Sequence, residues 1–218
     1  MAANQSRMAV ISPCHDTVNQ WMNNWMEPYL IPLLDQWELH KYYCEEARGL
    51  YHVFPDFEIY HPKGLFEHGH GGPNHITGHN SYAIWALWGA GPQYMPLLED
   101  KIVYFISCYT GVNLGPTMIS EYGARAYMGF DDVCYVGPTT GFRNCLLEPW
   151  IALVEGCTVG EAYQRGIDMY NSYVGELGTL GGLQHNRDHF VMFGDPDAKL
   201  LEEDLIITDT HQLHIGML

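Results

Sequence analysis

Basic residues are scarce in this sequence. Its 218 residues include 10 Lys and Arg against 26 Asp and Glu, which gives a formal net charge of −16 at pH 7. A protein that binds nucleic acid needs a basic face to neutralise phosphates, and ten cations can hardly supply one. We therefore expect no nucleic acid among its partners. The excess of acid suits a basic substrate or partner, although acidity also serves solubility by itself.

Long apolar runs and CxxC motifs are also missing. The N-terminal apolar run is far too short for a signal peptide, and no later stretch is long enough to span a bilayer. Six cysteines are present without a CxxC pair, so the sequence indicates neither a zinc ribbon nor a thioredoxin site. We expect a cytoplasmic protein with no membrane span and with reduced thiols.

What the sequence does contain is typical of a globular protein. Hydrophobic residues make up 47% and charged residues 17%, and the length is enough to bury a full core, which predicts one domain over residues 1–218. Strand and helix patterns alternate along most of the chain. The run KIVYFIS at 101–107 is continuously apolar, as central parallel strands are. These features predict an α/β sandwich around a mainly parallel sheet.

Periodicity and turn residues place the individual elements. The predicted strands cover 8–12, 64–68, 101–107, 124–130 and 189–193, with an edge strand at 204–208. The predicted helices cover 18–26, 29–47, 80–88, 110–122, 142–155 and 159–173. The aromatic segment 51–62 is predicted to be extended, and 89–96 to be a loop.

Histidines are concentrated in the segment FEHGHGGPNHITGHN at 66–80, which holds His68, His70, His75 and His79. Four neutral imidazoles in this spacing are chemically adequate for zinc or nickel. Strand alternation places only His68 and His70 on the same face. A metallo-hydrolase of the HxHxDH type also needs an Asp, and Gly-Pro-Asn stands at 72–74 instead. A metal site that uses His68, His75 and His79 together with His70 is therefore kept as an alternative.

A cysteine and a histidine follow two of the predicted strands. Ligands of open parallel sheets bind outside the carboxyl ends of the strands, where His70 and Cys108 lie. Such a pair can act on a carbonyl: the thiolate attacks and the imidazole gives a proton to the leaving amine. The amides of Gly71 and Cys108 are placed to hold the oxyanion. Taken alone, a cysteine after an apolar strand is also typical of a small buried hydrophobe.

Four segments in this order resemble the caspase-like (clan CD) cysteine peptidases, and most of all the gingipain-type family. The segments are Gly69-His70-Gly71, Ser107-Cys108-Tyr109-Thr110-Gly111, GARAYMG at 123–129 and Phe193-Gly194-Asp195-Pro196. The resemblance spans residues 64–200. It implies a three-layer α/β/α sandwich of the caspase-like type.

The resemblance also implies a function. It predicts a cysteine endopeptidase with a dyad of His70 and Cys108, an oxyanion hole formed by the Gly71 and Cys108 amides, and a peptide or protein substrate. No cofactor is required; calcium or zinc is compatible with the sequence but is not indicated by it.

Several members of the family prefer Arg or Lys at P1, the residue before the cleaved bond, and read it with an acidic residue. The resemblance makes Asp16 the candidate reader, with Asp131 and Asp132 as rivals. Asp16 is equally well placed to cap a helix. A catalytically silent scaffold or assembly protein is the alternative function, since many aromatic residues and strong acidity suit an assembly surface or a homo-oligomer.

Overall fold

A six-stranded sheet lies at the centre of the computed structural model, which describes residues 8–36, 39–43, 46–89, 91–177 and 181–200. Its strands are β1 Met8–Ser12, β2 Leu39–Tyr43, β3 Gly64–His68, β7 Ile102–Ile106, β8 Ala126–Phe130 and β9 Phe190–Gly194. They lie in the order β2-β1-β3-β7-β8-β9. All neighbours pair in parallel except β8 and β9, which are antiparallel. The predicted α/β fold with a mainly parallel sheet is confirmed.

Helices cover both faces of this sheet. The helices are α1 Thr17–Gln36, α2 Phe54–Tyr60, α3 Leu114–Ser120, α4 Thr140–Val154, α5 Val159–Leu177 and α6 Gly181–His189. Side chains of α1, α4 and α5 share one core with one face of the sheet. Those of α2 and α3 share a second core with the other face, so the molecule has three layers. No helix among the described residues is long and apolar enough to cross a membrane.

Burial on both faces explains the continuous apolar run of β7. Successive side chains of a strand point to opposite faces. Tyr104 lies in the core beneath α1, α4 and α5, whereas Phe105 lies in the core beneath α2 and α3. Every residue of β7 is buried. Because β7 is covered on both sides, it has no solvent-facing position, which is why its sequence shows no alternation of polar and apolar residues.

A small antiparallel sheet follows β3 where the sequence predicted a helix. Its strands are β4 Gly71–Gly72, β5 His75–Thr77 and β6 Ala83–Ala86. The helix predicted at 80–88 is wrong, because Asn80 and Ser81 have positive φ angles of 56° and 59° that a helix does not allow. The chain then continues as β6, with Trp85 fully buried.

Three other segments differ from their prediction. The helix predicted over 29–47 is confirmed as far as Gln36, where α1 ends, and is wrong beyond it, where β2 pairs with β1. Residues 51–62 are largely helical, in a π-helical turn Gly49–Val53 and in α2, where Pro55 lies in the first turn and its missing N–H costs nothing. The predicted loop at 89–96 includes a 3-10 helix, Gly91–Leu98. The predicted strand at 204–208 lies outside the described residues.

The cysteines also depart from the expectation in one place. Cys14 is disulfide-bonded. Cys108, Cys134, Cys145 and Cys157 are free thiols. The expectation that the thiols are reduced is therefore wrong for Cys14, and the cytoplasmic location stays a prediction.

Candidate active site

The carboxyl ends of β1, β3, β7 and β8 meet at one edge of the sheet, because these strands are parallel. His68 at the end of β3 pairs in register with Ile106 at the end of β7. The Gly69 N–H donates to the Ile106 carbonyl at 3.2 Å and extends this pairing by one step. His70 and Cys108 each lie two residues beyond the paired register. The structure thus brings the two predicted dyad residues to the ends of adjacent strands.

The Cys108 thiol is partly buried against the core beneath α4 and α5. Its Sγ accepts a hydrogen bond from the Cys134 N–H at 3.4 Å. Burial raises the pKa of the thiol, and the nearby carboxyl groups of Glu67 and Asp132 raise it further, against the effect of the Cys134 N–H. Cys108 is therefore a neutral thiol at pH 7 in the free protein, and it must lose its proton in order to attack.

The turn that carries Cys108 is fixed by its neighbours. Tyr109 has a φ angle of 61°, in the left-handed region, and its N–H donates to the Asp132 carbonyl at 2.9 Å. The Thr110 hydroxyl donates to the Ser107 carbonyl at 3.2 Å and accepts from the Tyr127 hydroxyl at 2.7 Å. Because these bonds tie the turn to β7 and β8, the position of the thiol is set by the sheet.

His70 has an exposed side chain that contacts Asp16. Its Nε2 lies 3.0 Å from Oδ2 of Asp16, and the side chain of His70 is 49% exposed. A carboxylate only accepts, so Nε2 carries the hydrogen and Nδ1 is the nitrogen left to exchange a proton. In this arrangement Asp16 orients the imidazole ring of His70.

Asp16 is also the N-cap of α1. Its Oδ1 accepts from the backbone N–H groups of Val18 and Asn19, both at 2.9 Å, and its Oδ2 accepts from Nδ2 of Asn19 at 2.8 Å. Burial alone would raise the pKa of Asp16, but the Asn19 N–H and His70 hold it below its usual range. The capping interpretation of Asp16 is confirmed, and its role as a P1 reader stays a prediction.

His15 joins this group although the sequence analysis did not select it. Its Nε2 lies 3.1 Å from Oδ2 of Asp16 and 2.9 Å from Oγ of Ser81. Its ring centroid lies 6.2 Å from those of His70 and His79. The available signal was its position shortly after β1, next to Asp16.

Gly71 crosses directly over the Cys108 turn. A Cβ at this position would lie 2.8 Å from Cβ of Ser107 and from Cγ2 of Thr110, so only glycine allows the approach. The Thr77 N–H donates to the His70 carbonyl at 2.9 Å. Since paired residues of antiparallel strands alternate between bonded and non-bonded, Gly71 opposite Ile76 is non-bonded and its N–H points away from β5.

A buried carboxyl group lies between the two strand ends. Glu67 is 0% exposed, and the Ser107 hydroxyl donates to its Oε2 at 2.5 Å. Burial raises the pKa of Glu67 well above its usual range and favours the neutral acid. This bond ties the end of β3 to the end of β7. The available signal was a Glu inside the predicted strand GLFEH, which the sequence analysis did not use.

The other histidines of the 66–80 segment are spread over different environments. His68 is fully buried, and burial together with Lys41 lowers its pKa to about 3. The His75 ring meets Trp88 edge-on, with centroids 4.8 Å apart. His79 lies near His15 in the turn before β6. The segment does not form a convergent ligand set.

Asp131 and Asp132, the rival P1 readers, lie after β8 and face α6. The Asp131 carboxylate lies 2.8 Å from Nδ1 of His189. The Asp132 carboxylate lies 3.8 Å from Nε2 of His189 and 3.9 Å from Nε2 of His185. Asp132, His185 and His189 form the one group of three metal-ligating side chains found among the described residues.

Comparison of the whole chain with solved structures identifies its fold. The Arg-specific cysteine proteinase gingipain R superposes with a TM-score of 0.58 at 13% identity, covering 90% of this chain and 48% of that one. The complex of the RgpB pro- and mature domains from Porphyromonas gingivalis gives 0.58 at 12% identity, covering 88% and 48%. A structure described as a protease gives 0.56 at 14% identity, covering 90% and 49%.

These likenesses confirm the predicted resemblance at the level of the fold. The chain spans about half the length of the structures that it matches. No protein-family model matches the sequence, and a comparison with curated proteins finds no match. The three-layer sandwich with its parallel sheet is thus the fold of gingipain-type proteinases, at an identity too low to carry their activity across.

Proposed function

We propose that the protein is a cysteine endopeptidase in which Cys108 is the nucleophile and His70 the proton donor. One observation carries the proposal: His70 and Cys108 follow adjacent parallel strands at the carboxyl edge of a sheet whose fold is shared with gingipain R. The expectation of a single catalytic domain over residues 1–218 stays a prediction.

The reaction starts with a neutral thiol. As Sγ of Cys108 bonds to the carbonyl carbon of the substrate, the thiol proton passes to Nδ1 of His70. The Gly71 and Cys108 N–H groups hold the oxyanion. The C–N bond then breaks, and His70 gives its proton to the leaving amine. Water hydrolyses the resulting thioester and returns the thiol.

Asp16 supports this role of His70. Its ionised carboxylate accepts the Nε2–H, which fixes the tautomer and holds the ring while it carries the extra proton. Asp16 is itself held by backbone N–H groups in the first turn of α1. The carboxylate that orients the imidazole is therefore fixed to a helix and not to a loop. The positive N-terminal end of α1 further favours the ionised form of the carboxylate.

We propose Arg or Lys at P1; the structural neighbour gingipain R is an Arg-specific proteinase. Asp16, Asp131 and Asp132 all lie at the same edge of the sheet, and each contacts a histidine there. A basic side chain can replace such a contact. A neutral or acidic P1 side chain has no comparable partner among these three residues.

A fluorogenic peptide set that varies P1 tests the proposal. We expect hydrolysis that is fastest for Arg or Lys and is lost in Cys108→Ala, with Cys157→Ala as a matched control because Cys157 is another partly buried free thiol. No hydrolysis of any peptide, together with a Cys108 thiol that native alkylation does not reach, would favour the catalytically silent scaffold.

A further inference from the structure

A second group of side chains lies at the same edge, between the end of β8 and α6. His185 and His189 are one helical turn apart on α6, and Asp132 follows β8. The Asp132 Oδ2 lies 3.9 Å from Nε2 of His185 and 3.8 Å from Nε2 of His189, and all three ligand atoms are within 4.8 Å of one another. We propose that these three side chains bind a Zn²⁺ ion.

Hydrogen bonding fixes the direction of the His189 lone pair. The Asp131 carboxylate accepts from Nδ1 of His189 at 2.8 Å, so Nδ1 carries the hydrogen and Nε2 presents its lone pair to Asp132. Nε2 of His185 is buried and has no hydrogen-bond partner. Two imidazole Nε2 atoms and one carboxylate oxygen therefore face one another at the spacing of metal ligands, and the Tyr109 hydroxyl is hydrogen-bonded to the same carboxylate.

The chemistry of the ligands selects the metal. Two imidazoles and one carboxylate suit zinc, whereas calcium and magnesium prefer all-oxygen sites. A tetrahedral zinc site with bonds of about 2.1 Å spaces its ligand atoms about 3.4 Å apart. The two distances to Asp132 lie within a small side-chain rotation of that value. Asp131 holds the outer nitrogen of His189, as carboxylates commonly do behind zinc-binding histidines.

The site lacks a general base of the kind that zinc peptidases carry. Its helix reads His-Asn-Arg-Asp-His over 185–189, with the His spacing of HExxH motifs, but Asn186 stands in place of the Glu. The Asn186 amide accepts from the Tyr135 N–H and donates to the Tyr135 carbonyl, both at 2.8 Å. The ion therefore holds structure and does not activate water for a reaction.

The ion would stabilise segment 131–134, which contacts the turn that carries Cys108. The carbonyl of Asp132 accepts the Tyr109 N–H, and the Cys134 N–H donates to Sγ of Cys108. Zinc bound to Asp132 fastens this 131–134 segment to α6. It also engages Asp132 directly and Asp131 through His189, which leaves Asp16 as the candidate P1 reader when the ion is bound. The site itself rests on neither the peptidase proposal nor the dyad.

Titration of the chelator-treated full-length Cys108→Ala protein with zinc chloride, followed by calorimetry, tests the site. Removal of this thiol keeps it from competing for zinc and makes the result independent of peptidase activity. We expect one ion per chain and a loss of affinity of about 100-fold or more when His185→Ala is added. Addition of His75→Ala and His79→Ala together should change affinity by less than about threefold. The proposal would be overturned if the Cys108→Ala protein bound no zinc, or if the addition of His185→Ala left the affinity unchanged.

Cobalt gives a second measurement that needs no change in α6. Co²⁺ bound to the Cys108→Ala protein should show the visible absorption of a tetrahedral site with nitrogen and oxygen ligands. A thiolate-to-cobalt charge-transfer band would instead identify a remaining cysteine as a ligand and would contradict the proposed set.

Discussion

Two groups of histidines lie at the carboxyl edge of the central sheet and are built in different ways. The group from the 66–80 segment is dense in sequence, yet His68 is buried in the core while His70 is exposed and paired with Asp16. His185 and His189 are only two residues, and their rings lie 4.3 Å apart beside Asp132. The sparser group is the one that converges.

The difference follows from the backbone that carries each group. In a helix, residues four apart lie on the same face, so His185 and His189 meet without further help. The 66–80 segment instead crosses from β3 into a turn, two short strands and another turn. Each of these elements directs its histidine elsewhere. Spacing alone therefore predicts convergence on a helix but not along a chain that changes element every few residues.

The largest expected effect separates His70 from its neighbours in the segment. His70→Ala should lower kcat/KM for peptide hydrolysis by about 10²- to 10⁴-fold, because it removes the group that protonates the leaving amine. His75→Ala is the matched control and should stay within about threefold of the unaltered protein. Steady-state kinetics on one fluorogenic peptide measure both. Residual activity of His70→Ala within tenfold would exclude the dyad.

Zinc should distinguish the two groups in a stability measurement. An ion present at 100 times its dissociation constant stabilises the folded state by about 2.7 kcal/mol, or roughly 5–10 °C in Tm for a chain of this length. Differential scanning calorimetry of the Cys108→Ala protein should show this increase. Addition of His189→Ala should remove it, and a persistent increase there would place the ion elsewhere.

His68 should reveal its burial through pH. Its pKa is about 3 in the folded protein against 6.5 when exposed. Between these values the unfolded chain binds one proton more, so the free energy of unfolding falls as pH falls, by about 1.4 kcal/mol per pH unit. Glu67 contributes with the opposite sign above its unfolded pKa of 4.5, because its folded pKa is raised.

Comparison of two proteins isolates the His68 effect. Urea unfolding of the unaltered protein and of His68→Gln between pH 4.5 and 6.5 cancels the shared Glu67 contribution. The difference in free energy between them should change by about 1.4 kcal/mol per pH unit. His52→Gln, at an exposed histidine, is the matched control variant. Parallel curves for His68→Gln would contradict the burial of a neutral His68.

The smallest effects separate the two functions of Asp16. Asp16→Asn keeps a good N-cap but removes the charge beside His70. Because both side chains are partly exposed to solvent, kcat/KM should fall only about tenfold, while stability changes by a few tenths of a kcal/mol. Asp16→Ala should lose about 1 kcal/mol of stability in addition. Kinetics across the P1 set and thermal unfolding measure these effects. If Asp16→Asn altered the preference for Arg or Lys and left the rate on other peptides unchanged, Asp16 would be the P1 reader.

Much of the sheet was predictable because its strands obey a simple rule. The strands 8–12 and 64–68 have the predicted limits, and KIVYFIS differs by one residue at each end. Burial on both faces favours apolar residues, so the uninterrupted run of β7 marks a central strand, although the neighbouring β3 also buries Glu67 and His68. The prediction for segment 51–62 was wrong because aromatic residues occur in both helices and strands. The packing of Phe54 and Phe57 against Trp85, which favours the helix, is a contact of the folded protein that the local sequence does not show.

The site was predictable in part for the same reason. His70 and Cys108 follow strands, so the fold predicted where they would meet. Glu67, His15 and Asp132 acquire their roles from contacts between residues 40 or more positions apart, such as the bond from Ser107 to Glu67. No local pattern encodes those contacts. Helix α6, which carries the second group, was not predicted.

The central claim is that Cys108 at the end of β7 is a peptidase nucleophile served by His70. Its most direct test is mass spectrometry of the native protein after reaction with a peptidyl acyloxymethyl ketone that carries Arg or Lys at P1. We predict a single thioether adduct on Cys108, formed much more slowly in His70→Ala, with Cys157 unlabelled. Labelling of another cysteine, or an equal rate in His70→Ala, would contradict the claim.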